Sequence, residues 1–162
     1  ATNTARMEGY REGVNEAGGE FLDNETQYAN ATADLAVTAM EGIMSKYPEG
    51  VAIICSNNDD MALAAARTAK DNPNYAKTIF LGFDGQKSAV EAVLNGELTM
   101  TAAQNNFDIG YKAVETIVKI LNGEADISTM PIEYTDVTKK YNKTICDDLG
   151  LTVPEGYEAI EG

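Results

Sequence analysis

The sequence contains no histidine. The commonest general base at neutral pH and the commonest metal ligand are therefore both missing, which excludes histidine-based catalytic triads. Cysteine is nearly as scarce, since Cys55 and Cys146 lie far apart and form neither a CxxC pair nor a zinc-ligand spacing. No metal and no cofactor is implied. Cys55 falls within the apolar run Val51 to Cys55, where a free thiol behaves as a small hydrophobe, and pairing with Cys146 stays open. Cations are few as well: 12 Lys and Arg stand against 26 Asp and Glu, and the formal net charge of −14 repels phosphate backbones and anionic lipid at long range. Nucleic acid is not an expected partner. No stretch approaches the roughly 18 apolar residues of a membrane helix. The opening Ala1-Thr2-Asn3-Thr4-Ala5-Arg6 lacks the charged-then-apolar pattern of a signal peptide, so any export signal or lipid anchor is expected upstream. Nucleophile-elbow, dinucleotide, P-loop and EF-hand patterns are also absent. The adjacent pairs Asp59-Asp60 and Asp147-Asp148 have no supporting constellation and read as solvated faces or helix caps. These gaps point away from an enzyme.

What is present is an ordinary globular composition, 44% hydrophobic and 23% charged over 162 residues, which excludes a disordered chain. Met7, Tyr10 and Val14 recur at helical spacing between Thr4 and Ala17, ahead of the glycine stop Gly18-Gly19. A short extended stretch is expected near Glu20 to Asp23. Asn30 is the expected cap of a second helix with the stripe Leu35, Ala39, Met40, Ile43 and Met44. Val51 to Cys55 is a continuous, branched apolar run, as in a parallel strand covered on both faces. The alternation then repeats: helix from Asp59 through Met61 to Lys70, strand Thr78 to Phe83, helix Lys87 to Leu94, strand Leu98 to Ala103 and helix Ile109 to Leu121. In the less regular tail, Ile132 to Tyr134 reads as extended, Lys139 to Leu149 as a last helix and Val153 to Gly156 as loop. Repeated βα units imply a Rossmann-like, three-layer α/β fold, a parallel sheet with helices on both faces.

Ligands of such sheets sit beyond the carboxyl ends of the strands. Three polar clusters occupy those ends here: Ser56-Asn57-Asn58-Asp59, Asp84-Gly85-Gln86 and Gln104-Asn105-Asn106. Together with Arg6 they present Asn58, Asp84 and Gln104 as planar polar groups, each able to engage adjacent hydroxyls, and carbohydrate matches that chemistry best. Capping of the following helices is the other role open to Asn58 and Asp84.

The succession Ser56-Asn57-Asn58-Asp59-Asp60-Met61-Ala62-Leu63, Gly82-Phe83-Asp84-Gly85, Asn95-Gly96-Glu97 and Thr101-Ala102-Ala103-Gln104, followed by Gly110 and Ala113, resembles the periplasmic ribose and galactose binding proteins over most of the chain. Thr4-Ala5-Arg6 with Gly9 and Gly13 is similar to the start of the first helix of that family's second lobe. The resemblance implies that Arg6, Asn58, Asp84 and Gln104 contact a sugar and that Tyr28 stacks on its apolar face. Asn106 departs from the proline more usual after the glutamine.

By the same resemblance, this is the carboxy-terminal portion of a two-lobed protein. A first lobe and the first strand of the second lobe are expected before Ala1. Residues 1–104 would form the second-lobe core, 105–134 a hinge and a helix belonging to the missing lobe, and 135–162 the return to the second lobe. The implied function is the extracellular solute-binding component of an ABC importer, closing over a sugar by hinge bending and delivering it to a membrane permease. Its expected location is the periplasm or the outer face of the cell membrane, with or without a lipid anchor. Edges left open would make a dimer of this chain possible. The alternative is the effector domain of a sugar-responsive transcription repressor, whose members favour Gly-Phe-Asp-Asp where this chain has Gly82-Phe83-Asp84-Gly85.

Overall fold

A computed structural model describes residues 2–126, 128, 129, 137–142, 147, 155 and 157–160. The elements run α1 (Thr2–Glu16), α2 (Ala33–Lys46), β1 (Ile53–Cys55), α3 (Asp59–Ala69), β2 (Ile79–Asp84), α4 (Lys87–Leu94), β3 (Met100–Gln104), α5 (Asn106–Leu121), β4 (Val137–Asn142) and β5 (Tyr157–Ile160), with short 3-10 turns at Asp23–Glu25 and Pro73–Tyr75. The strands form one sheet in the order β1-β2-β3-β4-β5. The first three are parallel, in the registers Ile54↔Phe80 and Gly82↔Thr101, and β4 joins β3 antiparallel. Parallel pairing follows from the helical crossovers α3 and α4, and right-handed crossovers between successive strands place both on one face.

That face holds the core. Ala62, Leu63, Ala65, Ala66 and Ala69 of α3 pack with Phe80 of β2, Met40 of α2, Val93 of α4 and Leu98. The alanines let the α3 backbone approach the sheet closely, while Met40, Val93 and Leu98, each 1% exposed or less, fill the remaining volume. Burial of each such larger side chain contributes about 1.5–3 kcal/mol. In β2 the alternation is clear: Phe80 and Gly82 are buried toward the helices, whereas Ile79, Leu81 and Phe83 are only half-buried on the other face.

Several sequence expectations shift. Asn30 does not cap α2; the cap position belongs to Thr32, while Asn30 and Ala31 both take left-handed backbone angles, φ 47° and 60°. Glu20 to Leu22 belong to no regular element, and Asp23 opens the 3-10 turn Asp23–Glu25. The position of this segment is held by ion pairs from Arg11 to Asp23 and from Lys46 to Glu25. Lys139 to Asn142, read from sequence as helical, are strand: β4 pairs with the free edge of β3, and that long-range ladder outweighs the local helical pattern. Of the rest of that expected helix only Asp147 is described, and Ile132 to Tyr134 and Cys146 lie outside the described residues.

β1 is an edge strand, and beside its free edge lies a cavity of about 720 Å³. α1, α2 and the segment around Phe21 form the other walls, through Met7, Val14, Phe21 and Ile43. α5 is exposed along its length, with Phe107, Tyr111, Val114, Ile117, Val118 and Leu121 each between 48% and 79% accessible. Among the described residues no helix is long and apolar enough to cross a membrane, and no cluster of Cys, Asp and Glu could hold a metal ion.

Candidate ligand-binding site

The carboxyl ends of β1, β2 and β3 carry the site. Each parallel strand ends where a crossover begins, so the polar residues after Cys55, Phe83 and Ala103 emerge on one edge of the sheet. α1 reaches the same edge. Tyr10 donates its hydroxyl to the Ser56 carbonyl at 2.9 Å, and the Asn57 side-chain amide bonds to Asn3. Burial raises the Tyr10 phenol pKa, so the phenol stays protonated and remains a donor.

Arg6 projects from α1 over β2. Its guanidinium lies 3.7 Å above the Phe83 ring, donates to the Asn57 carbonyl at 2.6 Å and stands 3.6 Å from the Asp84 carboxylate. Stacking on an aromatic face leaves the planar edge of the guanidinium free for hydrogen bonds. Gln104, at the end of β3, donates from Nε2 to the same Asp84 oxygen at 2.6 Å. Arg6, Asp84 and Gln104 thus form one connected group. Asp84 does not cap α4, whose cap position is Gln86. The capping role open to it from sequence is not the one it plays.

Asn58 does cap. Its Oδ1 accepts from the Met61 amide at 2.9 Å, and its Nδ2 donates to the Ala31 carbonyl at 3.2 Å, tying α3 to the left-handed turn before α2. It shares the walls of the cavity with Arg6, Asp84 and Tyr28. The Tyr28 side chain is 77% exposed. Asn105, not Asn106, caps α5, accepting from the Asp108 amide at 3.2 Å, and Asn106 is the first helical residue.

Sequence reasoning missed Phe83, Tyr10, Asp59 and Thr101. Asp59 is the plainest correction to the reading of Asp59-Asp60 as a solvated face or helix cap. The two separate completely: Asp60 is exposed, while Asp59 is 0% exposed and hydrogen-bonded to β3 and to the turn after β2. The signal was available in Gly82. A Cβ there would clash with Asp59 Oδ1, so the glycine reports the carboxylate lying against β2.

The chain is similar to known proteins. The profile of the periplasmic binding protein domain matches residues 1–125. The chain belongs to that family. The ribose import binding protein RbsB of Escherichia coli K12 is 32% identical over 135 residues, covering 83% of this chain and 44% of that protein. A fructose import binding protein, FruE, of Bifidobacterium longum is 28% identical over 110 residues, covering 67% of this chain and 33% of that protein. Among solved structures, a periplasmic ribose ABC transporter protein from Conexibacter woesei superposes with a TM-score of 0.67 at 26% identity, covering 88% of this chain and 47% of that one. This periplasmic binding protein chain therefore spans less than half the length of those relatives, and its fold, a parallel sheet flanked by helices, is theirs.

Proposed function

We propose that the full-length protein containing this chain binds a monosaccharide or similar polyhydroxylated solute between two lobes and delivers it to an ABC importer outside the cytoplasmic membrane. The observation that carries this reading is the convergence of Arg6, Asp84 and Gln104 at the carboxyl edge of the sheet, with Asn58 on the adjoining wall. A guanidinium, a carboxylate and two carboxamides offer planar donors and acceptors for vicinal hydroxyls, and Arg6 and Asp84 keep 18% and 26% of their side chains open to solvent. The names of the relatives, which import ribose and fructose, favour pentoses and hexoses. Nothing in this chemistry calls for bond cleavage.

In this reading the exposed apolar face of α5 packs on the other lobe, residues 105–134 contain the hinge, and 135–162 return to the second lobe. Residues preceding Ala1 fill the cavity beside β1 as a further parallel strand. The polarity supports this: α1 starts beside Asn57, just past the carboxyl end of β1, so a strand parallel to β1 leads directly into α1. Apolar walls from Met7, Val14 and Ile43 suit a branched apolar strand. A periplasmic or outer-surface location and a permease partner complete the proposal.

A thermal-shift screen of the full-length protein against pentoses and hexoses, followed by calorimetry, tests it. At least one sugar should raise the melting temperature and bind without turnover. A panel with no stabilising sugar would overturn the reading.

A further inference from the structure

We infer that the buried pair Asp59 and Thr101 is a positioning device for the site, holding the strained backbone of Asp84 so that its carboxylate meets Arg6 and Gln104; the sugar arm of its test rests on the function proposed above. Asp84 has φ 118°, a region that residues with a Cβ rarely occupy. Such strain persists only where the surroundings over-determine it. The two residues after Asp84 are where that constraint acts. The Gly85 amide donates to Thr101 Oγ1 at 3.2 Å, and the Gln86 amide donates to Asp59 Oδ2 at 2.8 Å. Thr101 in turn donates its hydroxyl to Asp59 Oδ1 at 2.6 Å. Two successive backbone amides are thereby tied to one carboxylate, directly and through one hydroxyl.

With Asp59 ionised, the direction of every bond is fixed. An ionised carboxylate only accepts, so Thr101 must donate to it and has its lone pairs left for Gly85. Asp59 is 0% and Thr101 1% exposed, so water does not compete. Burial raises the Asp59 pKa, while the bonds from Thr101 and the Gln86 amide act to lower it. Space around the pair is equally constrained. A Cβ at Gly82 would clash with Asp59, and one at Gly85, whose φ is 70°, would clash with Ala103. Because Asp59 begins α3 directly after Asn58, the same carboxylate also links the segment after β1 and the turn after β2 to β3.

The test uses the full-length protein with D-ribose as probe and the variants Thr101→Val, Thr101→Ser and Asp59→Asn. Affinity is read by calorimetry well below each variant's melting temperature, and the Gln104 side-chain amide resonances report its bond to Asp84 without ligand. Thr101→Val keeps shape and loses the hydroxyl; it should shift the Gln104 resonances and weaken ribose binding about tenfold or more, or about 1.4 kcal/mol. Thr101→Ser, which keeps the hydroxyl, should restore both. Asp59→Asn should behave like Thr101→Val if it folds. A folded Thr101→Val protein with wild-type Gln104 resonances would overturn the inference, as would unshifted affinity in a protein that binds ribose. If the wild-type protein binds no ribose, the sugar reading loses its first candidate while the resonances still decide the positioning role.

Discussion

Gln104 Nε2 donates to Asp84 Oδ1 at 2.6 Å, joining the carboxyl ends of β3 and β2 across one hydrogen bond. The oxygen that accepts it is also the one nearest Arg6, at 3.6 Å. Asp84 is therefore the hub of the group, joined to both Gln104 and Arg6 through one carboxylate oxygen.

Replacing that hub is expected to be costly. Asp84→Ala in the full-length protein should weaken sugar binding by about one to two decades, since a charge-assisted hydrogen bond contributes roughly 1.5–3 kcal/mol. Asp60→Ala is the matched control, because Asp60 is exposed and belongs to the adjoining helix. Calorimetry on both variants decides the matter; equal affinities would remove Asp84 from the binding group.

Tyr28 provides a separate test, because its ring is open to solvent on the cavity wall. If it stacks on a sugar face, Tyr28→Ala should lower affinity while Tyr28→Phe leaves it nearly unchanged, the ring and not the hydroxyl being required. Silence of both variants in the same titrations would return Tyr28 to a loop residue.

Cys55 should be slow to alkylate in the folded state. Burial pushes its thiol up to about 11 from an ordinary 9.0. At neutral pH that lowers the thiolate fraction about 100-fold, and the thiolate is the reactive species. Iodoacetamide labelling followed by peptide mass analysis should show Cys55 protected in native protein and modified after denaturation. Equal rates in the two states would contradict the burial.

The 162-residue chain by itself is expected to associate and to bind sugar weakly. Among the described residues β1 presents an unpaired edge, and α5 presents an apolar face that a soluble monomer rarely leaves uncovered. On the two-lobed reading proposed above, one lobe alone would leave a ligand partly solvated, which should reduce affinity by decades. Sedimentation equilibrium and calorimetry on the isolated chain check both statements. A monodisperse monomer with the affinity of the full-length protein would refute them.

The alternation of strands and helices was legible from the residues alone because its cause is local. Runs such as Val51 to Cys55 and Thr78 to Phe83 carry the apolar, branched residues of strands, and Gly18 and Gly123 stop helices through their positive φ. Once the strands are placed, their carboxyl ends follow, and with them Asn58, Asp84 and Gln104. Tertiary structure decided what those residues do. Asn58 and Asp84 both lie at the carboxyl edge of the sheet, yet one caps a helix and the other bonds across the sheet to Gln104 and faces Arg6. Asp59 and Asp60 are neighbours of the same type, yet only Asp59 meets Thr101, some 42 positions away, in the interior. Val137 to Asn142 became a strand because β3 had an edge to pair. Hydrophobic periodicity is set by neighbours a few residues apart, whereas the partner of a buried carboxylate, a stacked guanidinium or an open strand edge is chosen by contacts between distant segments, and those exist only once the chain has packed.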